Sequence, residues 1–405
     1  MIGNEATARR VPAAQDGFGV RLRVLLVIEA AGGGSGRHVL DLAMGLVSRG
    51  HEVCLAYSPV RAEAGFLQRL RGLPGVTVMP VVMHREVSVE DFSAYSGLWR
   101  LAVEQGPFDI LHSHSSKAGA LLRSIPVPGA RVYTPHAFRT MDPHTPPLAA
   151  LVFGGVETLL ARVATDCVIA VSAEEARHAR TRLRVPASKL ATIVNGVSSP
   201  GLRPRALVRS ELGIDASDVL VGFVGRLCYQ KYPELFLEAI SRARKINPAI
   251  KGLMLGDGEL FGAVEELCIS LGLEEAVKLV RGQSAMDYFG GMDCLCMTSR
   301  YEAMPYVLLE ALSVGLPIVS TRVGGTDEAV VPGVTGFLVE SEAEAVAEAV
   351  LDLAGDALLR RRLSMGAVER AAAYTTESMV AKTEEVYLKS IGSKMVLSAS
   401  SRPAA

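Results

Sequence analysis

The chain is 405 residues long, carries a net charge of −1, and is 49% hydrophobic and 21% charged. That balance excludes a disordered chain and gives no global attraction to nucleic acid. At this length two hydrophobic cores are favoured over one. The six cysteines include no C-x-x-C pair, and each lies in or beside an apolar segment. They predict core thiols in a reducing compartment, not a disulfide or zinc framework. No apolar run reaches the ~18–20 residues of a membrane span. The longest, Pro146–Val156, is followed by Glu157 and Arg162. Residues 1–20 lack the apolar core of a signal peptide and are expected to form a disordered tail on a cytoplasmic protein.

Leu22–Ile28 is a short apolar run of the kind that forms a buried parallel strand. A glycine-rich turn, Gly32–Gly36, follows it, and then a helical pattern from Arg37 to Ser48. The spacing is not G-x-G-x-x-G, and the next strand, Glu52–Tyr57, offers no acid for a ribose. A dehydrogenase is therefore disfavoured. Strands are predicted at Val76–Val81, Asp109–His112, Arg131–Thr134, Cys167–Val171 and Leu190–Val194, with helices between most of them. Repeated units of this kind predict a parallel sheet covered on both faces. His112, His114 and His136 fall at strand ends, where ligands of open α/β sheets bind. The His112/His114 pair has metal-ligand spacing, but no carboxylate or cysteine partner follows, and no metal site is assigned. Arg177, His178, Arg180, Arg182, Arg184 and Lys189 read as a solvated basic helix face, with anionic lipid headgroups as the sharper alternative. Turn formers from Asn195 to Pro204 mark a linker.

The second half repeats the pattern, with strands predicted at Val219–Val224, Gly252–Leu255, Val277–Val280, Met292–Met297 and Pro317–Ser320. Gly225 ends the first of these, and Arg226 and Lys231 stand just beyond it, a planar fork and a mobile point charge suited to a diphosphate. Ser299–Leu312 reads as loop then helix, with Glu302 in the loop, Pro305 in the first helical turn and Glu310 on the helix. The free N–H groups at that helix start suit an anion, and two carboxylates beside it can accept bonds from sugar hydroxyls. Taken alone, the glutamate pair reads better as solvated side chains.

Gly32–Gly36, Thr134-Pro135-His136, Asn195-Gly196-Val197, Gly225-Arg226 with Lys231, Gly256-Asp257-Gly258, Glu302-x7-Glu310 and Gly324-Gly325 together resemble the family-4 retaining glycosyltransferases. The resemblance implies an α/β chain of GT-B fold: two Rossmann-like, doubly wound parallel-sheet domains facing an interdomain cleft. It implies an N-terminal acceptor-side domain at 21–200, a linker at 201–206 and a nucleotide-sugar domain at 207–375. A helix at 376–392 would pack back on the first domain, and 393–405 would form a second disordered tail. By the same resemblance Glu310 binds the ribose. Glu302, with the backbone of Ala303, Met304 and Pro305, meets the donor sugar. Arg226 and Lys231 neutralise the leaving diphosphate, and backbone near Val280, Arg281 and Gly282 contacts the base. Gly33 and Gly34 approach the phosphates, and His136 sits by the reacting sugar.

The expected reaction is metal-independent, retaining transfer from a nucleotide sugar, of which a UDP-sugar is the first choice. The acceptor would be a polysaccharide or lipid-linked oligosaccharide. No cofactor, metal or nucleic acid is expected, and the inner face of the membrane is a candidate peripheral contact. A nucleotide-sugar epimerase of the same fold and a non-catalytic nucleotide-sugar-binding subunit are the rival readings. Many members of the family it resembles carry Gly-Phe or Gly-Leu where this chain has Ala303-Met304, a departure beside the expected donor-sugar site.

Overall fold

A computed structural model describes residues 20–198 and 201–400, with side chains as far as residue 393. Contacts divide the chain into two compact units. Among the described residues, the first takes those up to Ala170, Ala179–Ala191 and those from Val380; the second takes Val171–His178 and the described part of Thr192–Met379.

In the first unit the elements run β1 (Arg23–Ile28), α1 (Gly33–Ser48), β2 (Glu52–Tyr57), α2 (Ala64–Arg71), β3 (Val76–Pro80), α3 (Asp91–Glu104), β4 (Ile110–His114), α4 (Ser116–Ser124), β5 (Ala130–Thr134), α5 (Pro147–Val163) and β6 (Cys167–Ala170). The helix α6 (Ala173–Thr181) and the strand β7 (Leu190–Thr192) follow. The seven strands lie in the order β3-β2-β1-β4-β5-β6-β7. β1 pairs in parallel with both β2 and β4. Val24 to Ile28 have no exposed surface, the signature of a central strand covered on both faces. The order reverses beside β1, so the groups past the carboxyl ends of β1 and β4 flank a topological switch point.

The second unit runs α7 (Arg205–Leu212), β8 (Val219–Val224), α8 (Pro233–Ile246), β9 (Ile250–Leu255), α9 (Phe261–Ser270), β10 (Val277–Val280), α10 (Met286–Phe289), β11 (Cys294–Met297), α11 (Tyr306–Ser313), β12 (Ile318–Thr321), α12 (Thr326–Ala329) and β13 (Gly336–Val339). Three helices, α13 (Ala343–Gly355), α14 (Ala357–Ala371) and α15 (Thr376–Ser400), complete the chain. The strand order is β10-β9-β8-β11-β12-β13, again with a switch point, here between β8 and β11. The core beneath includes Val221, Phe223, Phe236, Ile240, Met254 and Val350, all at most 2% exposed.

Several boundaries differ from the sequence reading. The first helix begins at Gly33, not Arg37, so most of the predicted turn is helical. Four glycines in five residues hide the helical period there, because glycine carries no side chain to show it. β4 runs two residues further, which places His114 inside the strand. β13 went unpredicted; its four residues begin with glycine and show no alternation. Pro305 is the cap residue before α11, with φ −73° and ψ 123°, and not part of its first turn.

Thr192–Ser198, expected in the first domain, join the second unit. The Asn195 amide donates to the Met304 carbonyl at 3.1 Å, and the Val197 N–H donates to the Tyr374 carbonyl at 2.9 Å. Residues 393–400, expected as a frayed tail, continue α15; half of them are good helix formers, and neither glycine nor proline interrupts them. The remaining tail residues, 1–19 and 401–405, lie outside the described residues. No described helix is long and apolar enough to cross a membrane.

Candidate active site

In the second unit several of the candidate side chains gather on the loops past β8 and β11. The Lys231 ammonium meets the Glu302 carboxylate, and both groups are largely buried, at 17% and 8% exposure. The Ser299 hydroxyl donates to the same carboxylate oxygen at 2.7 Å. The Gln230 amide donates to the other oxygen at 3.4 Å and to the Tyr301 carbonyl at 3.0 Å. Backbone ties lock the two loops together. The Arg300 N–H donates to the Gln230 carbonyl at 2.7 Å, and Thr298 Oγ1 donates to the Lys231 and Tyr232 carbonyls. The Arg300 guanidinium lies over the rings of Tyr229 and Tyr232. Tyr232 itself is left-handed, at φ 50°, a conformation these ties hold in place.

Close backbone approach dictates two of the glycines. A Cβ on Gly256 would lie 1.9 Å from the Gly225 carbonyl, just past the paired ends of β8 and β9. A Cβ on Gly325, at φ 72°, would lie 2.0 Å from the Ala303 carbonyl. The second contact fixes the loop that carries Ala303 and Met304, which are 9% and 5% exposed. Arg226 is exposed on the loop past Gly225, and Glu310 is half-buried on α11.

Val280 ends β10, two strands away from β8 in the sheet order, and Gly282 follows it at φ 67°. Arg281 between them grips Asp257 past β9 with two bonds of 2.8 and 3.0 Å and stacks on Phe261. The guanidinium, with help from the Gly258 N–H, holds the Asp257 carboxyl below its ordinary range. Arg281 thereby joins the ends of β9 and β10.

The first unit holds a histidine cluster at its own switch point. His112 Nδ1 meets the Tyr387 hydroxyl at 2.7 Å, and its Nε2 meets Thr134 Oγ1 at 2.9 Å. His114 Nδ1 lies 3.1 Å from His136 Nε2. The His38 ring, on α1, stands 4.7 Å from that of His136 and 5.4 Å from that of His114. His136 and Ala137 are both left-handed, at φ 54° and 78°. Burial pushes the basicity of His112, His114 and His136 well below that of a free imidazole, and neighbouring histidines add to the effect. His112, His114 and His136 therefore stay neutral at pH 7.

His38, His114 and His136 bring three ring nitrogens within 4.8 Å of one another, a spacing that could hold a metal. The 3.1 Å separation of His114 and His136 is also that of one ring N–H donating to the other ring, which joins this pair without an ion. Past β1, the Gly33 N–H donates at 2.9 Å to the Glu63 carboxylate. Gly33 is left-handed at φ 52°, and Gly34 follows it in the first turn of α1.

The structure thus brings Lys231 and Glu302 into contact and adds Gln230 and Ser299, which the sequence reading did not select. Ser299 stands three residues before Glu302, a spacing with no independent signal. His38 and Tyr387 were missed too, since α1 and α15 reach the cluster only through the fold.

Residues 205–370 match the family model described as "Glycosyl transferases group 1", and residues 32–199 match "Glycosyltransferase Family 4". D-inositol 3-phosphate glycosyltransferase from Streptomyces scabiei (strain 87.22) is 28% identical over 398 residues, covering 88% of this chain and 86% of that one. Among solved structures, Anabaena Alr3699/HepE in complex with UDP and glucose superposes with a TM-score of 0.77 at 20% identity, covering 91% of this chain and 100% of that one. Sucrose-phosphate synthase from Thermosynechococcus elongatus gives 0.78 at 20% identity, covering 92% and 100%.

Proposed function

The chain belongs to the family 4 glycosyltransferases of group 1, and we propose that it moves a sugar from UDP to a polysaccharide or lipid-linked oligosaccharide acceptor, with retention and without a metal at the diphosphate. The observation that carries this reading is the buried Lys231–Glu302 pair with Ser299 and Gln230, built at the switch point of the second sheet. The complex of the Anabaena protein with UDP and glucose supports UDP as the nucleotide.

Breaking the sugar–phosphate bond builds negative charge on the diphosphate and positive charge on the anomeric carbon. A cation already in place stabilises the first without reorganisation. Lys231 is such a cation, held by Glu302 on a loop that Thr298 and Arg300 fix. Arg226 adds a second charge from the loop past β8. The sequence has no D-x-D for a metal at the phosphates, and the two cations take that role. In this reading Glu310 anchors the ribose, backbone from Ala303 to Pro305 meets the donor sugar, and Val280 and Gly282 edge the base. Gly33, Gly34 and His136 are assigned to the phosphate and reacting-sugar side of the first unit.

The test is turnover on a panel of UDP-, GDP-, ADP- and dTDP-sugars with glycan acceptors, in EDTA and in added Mg²⁺. Sugar transfer from a UDP-sugar in EDTA is expected. Activity abolished by EDTA and restored by Mg²⁺ overturns metal independence, and transfer from only a non-UDP donor overturns the base. A donor-alone control separates transfer from epimerisation.

A further inference from the structure

Helix α5 inverts the usual arrangement of a surface helix. A helix on a sheet normally buries its apolar stripe and shows water its polar face. The buried residues of α5 are Glu157 and Ala161. Glu157 accepts from Arg123 Nη2 at 2.7 Å and from the Tyr133 hydroxyl at 2.8 Å. Further along, Thr158 Oγ1 donates to the Leu183 carbonyl at 2.9 Å, and Lys189 Nζ donates to the Arg162 and Thr165 carbonyls at 2.8 Å. Polar bonds hold this helix down, and six of its large aliphatic side chains face outward.

Leu148, Leu151, Val152, Val156, Leu159 and Val163 are all exposed, from 42% at Val156 to 74% at Leu148. Their spacing puts them on one face of a helix of 17 residues, about 25 Å long at 1.5 Å per residue. The only other exposed residues on that arc are Gly155 and Arg162, so the arc carries no carboxylate. The edge nearest Thr158 continues into the loop at Leu183, where Arg182 and Arg184 are exposed on either side of the buried leucine. Lys189, expected among the solvated cations, is spent on the helix carbonyls and is not part of this surface.

We propose that the α5 face and its Arg162/Arg182/Arg184 edge form a docking surface for an anionic lipid bilayer, with the helix lying in the plane of the membrane. A long aliphatic face bordered by unopposed cations is the chemistry of an interfacial helix: the side chains enter the acyl boundary and the guanidinium groups meet phosphates. A second copy of the chain fits less well. Antiparallel two-fold pairing of this face would set one arginine edge against the other, with no carboxylate between them. The sequence reading excluded Pro146–Val156 as a span on length; lying along the surface has no such length requirement.

The surface shares no residue with those assigned to sugar transfer, so vesicle binding and turnover are scored separately. The test is co-sedimentation of the full chain with vesicles of phosphatidylglycerol and phosphatidylcholine, and with phosphatidylcholine alone. The chain is expected to sediment with the anionic vesicles and to release as salt rises to about 0.5 M. The double substitution Leu151→Ser with Leu159→Ser is expected to weaken partitioning at least about tenfold. Arg182→Glu with Arg184→Glu is expected to abolish the preference for anionic over neutral vesicles. All four positions are exposed, and thermal melts confirm that the variants fold. No co-sedimentation, or binding indifferent to either pair of substitutions, overturns the assignment. A dimer in light scattering that Leu151→Ser with Leu159→Ser dissolves, without vesicle binding by the wild type, assigns the face to a second copy instead.

Discussion

Lys231 and Glu302 depend on each other for burial, and their substitutions should show it. Lys231→Ala leaves a carboxylate at 8% exposure without its cation and should cost about 3 kcal/mol of stability. Lys231→Ala with Glu302→Gln should recover much of that loss, as measured by urea denaturation of the single and double variants. Activity should not recover: loss of a cation at the leaving group should lower kcat by about 10²–10³-fold in both. The histidines make a second test. His112, His114 and His136 bind protons far less readily folded than free. Below the ordinary imidazole value of 6.5 the unfolded chain therefore takes up protons that the folded chain refuses. Stability is full above that pH and falls as pH drops toward the lowered values, by up to about 1.4 kcal/mol per pH unit for each histidine. Urea denaturation at pH 7.5 and 5.5 should show the slope, and His114→Asn should flatten it. At this scale the sequence revealed the residues whose chemistry is unusual for their place, such as Lys231 past a strand-ending glycine. It could not reveal partners chosen by the fold: the Arg281–Asp257 clasp joins two loops that are 24 residues apart.

Among elements, parallel strands were the most legible, because a strand covered on both faces must be continuously apolar, as Leu25 to Ile28 are. Helix ends were not, where glycine or cross-chain contacts set them. The start of α1 shows the first case. Its body shows the second: a Cβ on Gly45 would lie 2.4 Å from Val380 Cγ2, so α1 and α15 meet where a side chain is missing. Gly45→Ala should gain up to about 1 kcal/mol in helix propensity yet lose more to overpacking, for a net loss of about 1–2 kcal/mol. Gly45→Ala with Val380→Ala should relieve the overlap, and thermal melts of the two variants distinguish them. Glu384 reinforces the same contact, bonding Arg49 at 2.7 Å and His51 at 2.9 Å. The sequence marked a terminal helix there, but no periodic signal pointed to α1 as its seat.

For the whole molecule, the two repeated sheets were readable as two runs of the same grammar, and the family models divide the chain in the same way. UDP at 100 times its dissociation constant should stabilise the fold by about 2.7 kcal/mol, seen as a rise in melting temperature. Lys231→Ala should reduce that rise. What the sequence could not show is how the chain is shared. It leaves the first unit after Ala170, returns at Ala179, leaves again after Ala191 and comes back for good at Val380. This connectivity has a biosynthetic consequence. A ribosome delivers the chain from its N-terminus at roughly 5–20 residues per second, so the whole second unit emerges while the first still lacks the part of α15 from Val380. The side chain that fills the hollow at Gly45 and the hydroxyl partner of His112 come only from codons 380 and 387, after Met379, the last residue of the second unit. The first unit to be translated is thus the last to be completed, and a transcript cut after codon 379 encodes every residue of the second unit but leaves the first without Val380 and Tyr387.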